Sequence, residues 1–207
     1  MSVFEAATRV PLVVRAPFVA EPARARVVGE LVQLFDIVAT TLEFASITPQ
    51  HVHFSRSLAP YLSSAAPPAN FTPRAFVFSE GGYATNEPRD HEGYVDGLPS
   101  PSSDYFYKEA LELDAPLAVC RAVSVRNLTH KLVYRSDPLD ADHDSELYDL
   151  AADPHELWNR YDDPALAPVK AELKGLLLDW LVQTSDVTPW SICARESGQC
   201  GATPFRR

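Results

Sequence analysis

The densest group of possible metal ligands in the chain is a short acidic run. From residue 140 to residue 146, aspartate or glutamate occupies every second position, as oxygen ligands do at the start of a calcium-binding EF-hand loop. Such a loop needs glycine at its sixth position and glutamate at its twelfth, where this chain has Ser145 and Ala151. We therefore interpret the run as a solvated acidic turn between strands. Adventitious binding of Ca²⁺ or Zn²⁺ is the alternative.

Histidine and cysteine side chains supply the other possible ligands and nucleophiles. His51 and His53 stand on alternate residues, which could place two zinc ligands on one strand face, but no third ligand lies near them in sequence. We interpret them as polar loop histidines. Cys193 and Cys200 could form one disulfide in an oxidising compartment, or remain two thiols on a loose tail. Cys120 lies in an apolar stretch, which favours a buried small hydrophobic residue.

Charge and hydropathy exclude two classes of partner. The formal net charge is −10, whereas nucleic-acid binding requires a basic face for the phosphates. No apolar run approaches the ~20 residues that a helix needs to cross a bilayer. The N-terminus lacks a charged head followed by an apolar core, so we expect no signal peptide. The compartment is not assigned.

The first third of the chain predicts one strand and one helix. The β-branched run 10–17 lies between two prolines and is typical of a buried strand in a parallel sheet. Region 21–48 passes from a polar link into an amphipathic helix, whose apolar positions form a stripe suited to packing on a sheet. These apolar residues are Leu34, Phe35, Ile37, Val38, Leu42, Phe44 and Ala45. Residues 1–64 are predicted to close a large α/β domain, and 65–74 form a Pro-rich linker.

The remainder predicts a small antiparallel sheet with one helix, over residues 75–187. We expect a hairpin from strands 118–127 and 130–135, and a strand at Leu147–Leu150. After that strand, Asp153-Pro154 is a signal for a helical turn, with Glu156 placed to reach back to the N–H of the cap. A second helix is predicted over 164–183 with Asp163 as its cap. Residues 188–207 form a loose tail.

Several of these segments carry a resemblance to a known family. The string Glu146 to Asn159, with its Glu-Leu-Tyr-Asp-Leu and Asp-Pro-x-Glu-x-x-Asn elements, resembles a segment near the C-terminus of type I sulfatases in the alkaline-phosphatase-like superfamily. Phe4 to Val13 (Phe-Glu-x-x-x-Arg-Val-Pro-Leu-x-Val) resembles the segment that follows the active-site lysine in sulfatases similar to choline sulfatase and iduronate sulfatase. The helix around Asp36, the Ser-Leu-x-Pro-x-Leu segment after Arg56, and the Lys131-containing strand also match in order.

The resemblance implies an α/β fold, namely the C-terminal part of a sulfatase. It also implies that the active-site lysine stands just ahead of the position of Met1. Members of the family use a formylglycine, made from Cys or Ser in a Cys/Ser-x-Pro/Ala-x-Arg motif, and one divalent cation, Ca²⁺ or Mg²⁺. None of the three cysteines here has arginine four positions later. We therefore expect no catalytic, cofactor-binding or metal-ligating residue in this chain. The Asp90-His91 segment superficially resembles the family's later metal segment, but it stands on the wrong side of the Phe4–Leu12 match.

Three functional hypotheses follow. The first is the C-terminal portion of a sulfuric ester hydrolase, inactive alone, with a sulfated small molecule or glycan as the substrate of the whole protein. The second is a non-catalytic partner that docks onto an N-terminal sulfatase half, or oligomerises, through an exposed sheet edge. The third is a related phosphatase or phosphodiesterase of the same superfamily. Arg56 and Lys131 are the possible sulfate or sugar contacts, and Glu5 and Arg9 are spaced for an ion pair that braces the strand entry or contacts the substrate.

Overall fold

The computed structural model describes residues 3–15, 19, 26–62, 67–82, 94–95, 98–102, 106–107, 110, 114, 120–135 and 145–185. The Asp90-His91 pair, most of the acidic run at 140–144, and both Cys193 and Cys200 lie outside these residues, so the predictions made for them stay predictions. Contacts divide the chain into two units. The first unit comprises residues 1–10 and 78–178, and the second comprises residues 11–77 and 179–207.

The fold is α/β, as the sequence predicts. A four-stranded antiparallel sheet has the order β1-β4-β5-β6, and a separate pair consists of β2 and β3. The strands are β1 Val77–Gly81, β2 Tyr94–Val95, β3 Leu98–Pro99, β4 Ala122–Arg126, β5 His130–Arg135 and β6 Glu146–Asp149. The α-helices are α1 Glu5–Thr8, α2 Asp36–Phe44, α3 Ala59–Leu62 and α4 Ala167–Thr184, and a 3₁₀ turn at Pro164–Leu166 leads into α4.

The β4–β5 hairpin of the first unit forms where the sequence predicts it. Asn127 makes the turn, because its side-chain oxygen accepts the backbone N–H groups of Thr129 and His130 at 2.8 and 2.7 Å. Ala122 pairs with Arg135 across the two strands, and Arg126 pairs with Lys131. Ala122, Val123, Ser124 and Val125 are all buried, so both faces of β4 are covered.

Strand β6 completes the sheet beside β5, and the segment after it is tied back onto it. The side-chain oxygen of Asn159 accepts the backbone N–H groups of Leu147 and Tyr161, each at 3.0 Å. Its amide nitrogen donates to the carbonyl oxygen of Ser145 at 3.1 Å. One asparagine therefore satisfies backbone groups on both sides of the corner.

The predicted helix over 164–183 is confirmed. Asp163 caps the turn that opens it by accepting the backbone N–H of Ala165 at 2.8 Å, and Pro164 occupies the first position. Leu173 and Leu177 are the buried residues of α4. No helix among the described residues is long and apolar enough to cross a membrane.

Two predictions for the second unit are corrected. Residues 10–15 form no strand in the described part of that run, because a strand of a parallel sheet needs neighbours to receive its backbone hydrogen bonds. Val13 is 88% exposed there, as expected for a strand segment without its sheet. The helix expected within 21–48 is present as α2, but Leu34, Phe35, Ile37 and Val38 are 42–59% exposed rather than packed on a sheet.

Candidate functional site

The first unit holds a group of four charged side chains, the buried Lys131 and Glu156 and the partly buried Glu5 and Arg126, which we call the Lys131 cluster. Lys131 lies on β5 and is 1% exposed, and Glu156 is 8% exposed. The Lys131 ammonium is 2.8 Å from Oε1 of Glu156 and 3.4 Å from Oε1 of Glu5. Arg126, at the end of β4, pairs with the other carboxylate oxygen of Glu5. Two cations and two carboxylates thus compensate one another, with Lys131 and Glu156 at the buried side of the group.

The Lys131 cluster also fixes the N-terminal segment of the chain. The backbone N–H of Glu5 donates to Oε2 of Glu156 at 2.6 Å, so the first turn of α1 is held by a carboxylate from the other end of the unit. Val3, two residues earlier, is buried against Ala122 and Val133. The ion-pair partners of Glu5 in the structure are Arg126 and Lys131, so the spacing-based expectation of a pair with Arg9 is wrong. The ion pair of Glu5 with the buried Lys131 is screened less by water than a pair with the exposed Arg9 would be.

The corner that holds Glu156 is not the helical turn that the sequence predicts. Residues 153–160 contain no helix, and Glu156 has a backbone φ of +56°, in the left-handed region. Its carboxylate points to Lys131 and to the N–H of Glu5 instead of the N–H of Asp153. Asp153 accepts the N–H of Trp158 at 2.8 Å and so closes a wider loop. Burial of the Glu156 carboxylate beside an opposite charge therefore overrides the local capping pattern.

A second buried carboxylate, Asp36, organises the second unit. Asp36 opens α2 and is 1% exposed. One of its oxygens accepts the backbone N–H of Gln33 at 2.9 Å. The other accepts the backbone N–H of Arg56 at 2.8 Å and the guanidinium of Arg74 at 2.5 Å. This carboxylate thus joins the start of α2 to two loops that are distant in sequence.

Helix α3 is attached to α2 close to Asp36. Thr40 accepts the backbone N–H of Leu58 at 2.8 Å and donates to the carbonyl oxygen of Asp36 at 2.7 Å. The match of Asp36 and Thr40 to the sulfatase helix pattern therefore has a structural explanation, since both side chains bind backbone groups of neighbouring segments. The sequence signal did not reveal Arg74, which lies well beyond the helix in the chain.

The two residues predicted to contact substrate occupy different units. Arg56 is half-buried. Burial and the neighbouring Arg74 guanidinium lower the pKa of Arg56, and Asp36 acts in the opposite direction. Lys131 is enclosed by carboxylates, which gives its ammonium a structural task. A contact of either residue with a substrate stays a prediction.

The histidine pair forms no metal cage with other described side chains. The rings of His51 and His53 lie 5.8 Å apart, and Nδ1 of His53 is 2.7 Å from the hydroxyl of Ser55. Within the part of the chain that the structure describes, no three His, Cys, Asp or Glu side chains are placed to hold a metal ion. Cys120 is buried and unpaired, as predicted.

Comparison with known proteins finds similar folds among solved structures. No protein-family model matches the chain, and no curated protein matches it. The phosphonate monoester hydrolase of Agrobacterium radiobacter is 22% identical with a TM-score of 0.55, and the match covers 78% of this chain and 27% of that one. The phosphonate monoester hydrolase of Silicibacter pomeroyi is 24% identical with a TM-score of 0.56, and the match covers 83% and 28%. A 2-O GAG sulfatase also matches, at 21% identity and a TM-score of 0.48.

The chain therefore shares its fold with part of each of the two phosphonate monoester hydrolases. It spans about a quarter of the length of the solved structures that it matches. This confirms the fold class inferred from the sequence motifs.

Proposed function

We propose that this chain forms the C-terminal portion of a sulfate-ester hydrolase and supports the reacting groups rather than supplying them. The observation that carries the proposal is the coverage. The fold accounts for 78–83% of this chain but only 27–28% of the hydrolases that share it. The ordered motifs at Phe4–Val13 and Glu146–Asn159 support the same assignment.

In this proposal the nucleophile and the divalent cation belong to residues outside this chain. The described residues hold structural segments in position. The Lys131 cluster anchors α1 on the sheet, and Asp36 joins α2 to the segments around Arg56 and Arg74. Hydrogen-bonded charges of this kind fix the positions of neighbouring segments. A functional site needs such fixed surroundings to keep its reacting groups in the productive geometry.

The test is an activity assay on the purified chain. We expect no turnover of nitrophenyl sulfate above the buffer rate, with or without Mg²⁺ or Ca²⁺. Turnover that depends on the added cation and co-elutes with the folded chain would overturn the proposal. An assay with a nitrophenyl phosphonate ester, run in parallel, addresses the phosphorus-ester alternative. That alternative draws support from the TM-scores of 0.55 and 0.56 to phosphonate monoester hydrolases.

A second candidate function is a non-catalytic docking partner. The exposed apolar residues on and beside α2 favour it: Leu34, Phe35, Ile37, Val38, Phe44 and Ile47 are 38–59% exposed. Several large apolar side chains exposed on one short segment are typical of an interaction face. Size-exclusion chromatography with light scattering separates the two readings. A discrete dimer or hetero-complex supports the docking partner, whereas ill-defined aggregates support a portion of a larger fold.

A further inference from the structure

Residues 3–9, which include α1, pack against the sheet of the first unit, and we call them the arm. Val3 is 3% exposed and forms a cluster with buried residues of β4 and β5. The ring of Phe4 lies beside the ring of Tyr148 on β6, with the centroids 6.2 Å apart. The arm therefore contacts three strands of the sheet.

Glu5 supplies the polar contacts between the arm and the rest of the first unit. Its carboxylate pairs with Arg126 and with Lys131, whose ammonium is 3.4 Å away. Its backbone N–H donates to Glu156 at 2.6 Å. These partners stand 121–151 residues later in the chain. The Lys131 cluster is thus incomplete without a residue that the arm brings from a distant part of the sequence.

The backbone hydrogen bonds of α1 lie within the arm itself. The N–H groups of Ala7 and Thr8 donate to the carbonyl oxygen of Phe4 at 2.8 and 3.0 Å, and the N–H of Arg9 donates to that of Glu5 at 2.8 Å. A helix of four residues is too short to be stable alone in water. The arm is therefore helical because it packs on the sheet, and it loses its helix when it leaves the sheet.

The connection that follows the arm is open to solvent. Residues 10–15 form no helix or strand, and Val10, Val13 and Val14 are 47, 88 and 41% exposed. The chain passes into the second unit at Pro11. Six extended residues span about 20 Å, which is enough to carry the arm off the sheet towards a neighbouring molecule. The arm thus packs on one unit while its connection joins it to the other.

From this arrangement we infer that the arm exchanges between two copies of the chain, so that each copy places its arm on the first unit of the other. A swapped dimer of this kind keeps the contacts of the closed monomer, because the same residues meet in trans. The Lys131 cluster of each copy then receives Glu5 from the other copy. Since the two forms share their contacts, protein concentration decides between them. The inference does not depend on the proposed hydrolase function.

The test mixes two charge-reversed variants. In Glu5→Arg the arm carries a cation, which Arg126 and Lys131 of the same chain repel. In Arg126→Glu the sheet carries an additional carboxylate, which repels the unchanged Glu5 of the same chain. The arm of the first variant matches the sheet of the second, and the arm of the second variant matches the unchanged sheet of the first. Each variant therefore fits the other chain better than it fits itself.

The two variants are refolded from urea, separately and as an equal mixture, and size-exclusion chromatography with light scattering gives the mass of each product. We expect the mixture to contain about tenfold more dimer than either variant alone, since exchange pairs both arms. The double variant Glu5→Arg/Arg126→Glu restores the match within one chain and should remain closed. Arg9→Glu changes an exposed residue of the arm outside the Lys131 cluster and is the matched control. Mixed with Glu5→Arg, it should give no additional dimer.

The parent chain gives a second readout that needs no substitution. Refolding at millimolar rather than micromolar concentration should raise the dimer fraction, and removal of residues 1–9 should abolish that rise. A mixture of the charge-reversed variants with no more dimer than the separate variants, while the double variant folds, overturns the inference. A parent dimer that survives removal of residues 1–9 also overturns it, because another surface, such as the apolar side of α2, then holds the two copies together.

Discussion

The ammonium of Lys131 lies 2.8 Å from Oε1 of Glu156, and that glutamate adopts a left-handed backbone conformation, with φ +56°. The pair joins the central β5 strand to the corner after β6. Because the second oxygen of Glu156 accepts the N–H of Glu5 at 2.6 Å, the same contact fixes the N-terminal helix. One buried ion pair therefore couples three segments of the first unit.

Lys131→Met should destabilise the chain by about 3–5 kcal/mol, because it leaves the carboxylates of Glu5 and Glu156 without their buried partner. Adding Glu156→Gln to that variant should cost less than the sum of the two single changes, since no unpaired Glu156 charge remains. Urea unfolding followed by circular dichroism measures both. The control is Arg121→Gln, which breaks an exposed pair with Glu80 at 3.7 Å and should change stability by less than about 0.5 kcal/mol. Additive effects at the two cluster positions would contradict the coupling.

Gly82→Ala should be strongly destabilising, by about 2 kcal/mol or more, for two reasons. Gly82 has φ +87°, and an added Cβ would lie 2.2 Å from the carbonyl oxygen of Cys120. Gly175, inside α4, has nothing within 4 Å of an added Cβ. Gly175→Ala should therefore stabilise the chain by roughly 0.5–1 kcal/mol, the helix-propensity difference. Thermal unfolding of both variants checks the pair, and a tolerated alanine at position 82 would show that this close approach is absent in solution.

Ser46→Gly should stabilise the second unit by about 0.5–1 kcal/mol. Ser46 follows the last turn of α2 with φ 55°. The N–H groups of Ser46 and Ile47 donate to the carbonyl oxygens of Glu43 and Leu42 at 3.0 and 2.9 Å, the pattern of a Schellman cap. Glycine adopts this conformation without the steric cost that a Cβ carries. Ser46→Ala keeps the Cβ and serves as the control, and a denaturation midpoint for Ser46→Gly at or below that of Ser46→Ala would contradict the prediction.

Stability should fall in alkaline solution in a way that depends on Tyr148. Burial, followed by the hydrogen bond to Glu146, raises the pKa of Tyr148, so the fold favours the neutral phenol. This contribution is complete below the unfolded-state pKa of 10.0 and is lost as the pH rises towards the higher folded value. Tyr148→Phe should be about 1 kcal/mol less stable than the parent at pH 7, where it lacks the hydrogen bond to Glu146.

The difference in unfolding free energy between Tyr148→Phe and the parent should narrow above a pH of about 10. Ionisation of Tyr148 then lowers the free energy of the unfolded parent chain, and the variant has no tyrosine at this position to ionise. Free energies of unfolding measured between pH 7 and 11 give the profile. Tyr107, which is 88% exposed, provides the control through Tyr107→Phe, which should follow the parent profile. A constant offset between the Tyr148→Phe and parent curves would refute this assignment.

Sequence patterns correctly predict those structural elements whose stabilising contacts lie between residues close together in the chain. The Asn127 turn, the strand at Glu146–Asp149 and the Asp163 cap all depend on residues adjacent in sequence, and the structure has each of them. The corner at Glu156 was predicted wrongly, because its conformation is set by Lys131, far away in the chain. No periodicity signals such a pairing. Asp36 was recognised as part of a motif, but its partner Arg74 was not, for the same reason.

The run 10–17 and the apolar side of α2 show a second limit of prediction from sequence. Their sequences are those of buried elements, yet Val13 and Leu34 are 88% and 59% exposed. An apolar pattern in the sequence predicts that a side of a strand or helix is buried. The pattern does not specify whether the segment that buries it belongs to the same chain.

The most direct test of the central claim is the DNA sequence immediately upstream of the codon for Met1. If these residues are the supporting portion of a sulfate-ester hydrolase, the same reading frame continues upstream and encodes a Cys/Ser-x-Pro/Ala-x-Arg motif together with an acidic metal-binding pair. A stop codon in that frame directly ahead of Met1, in an organism that produces the chain in folded form, would contradict the claim.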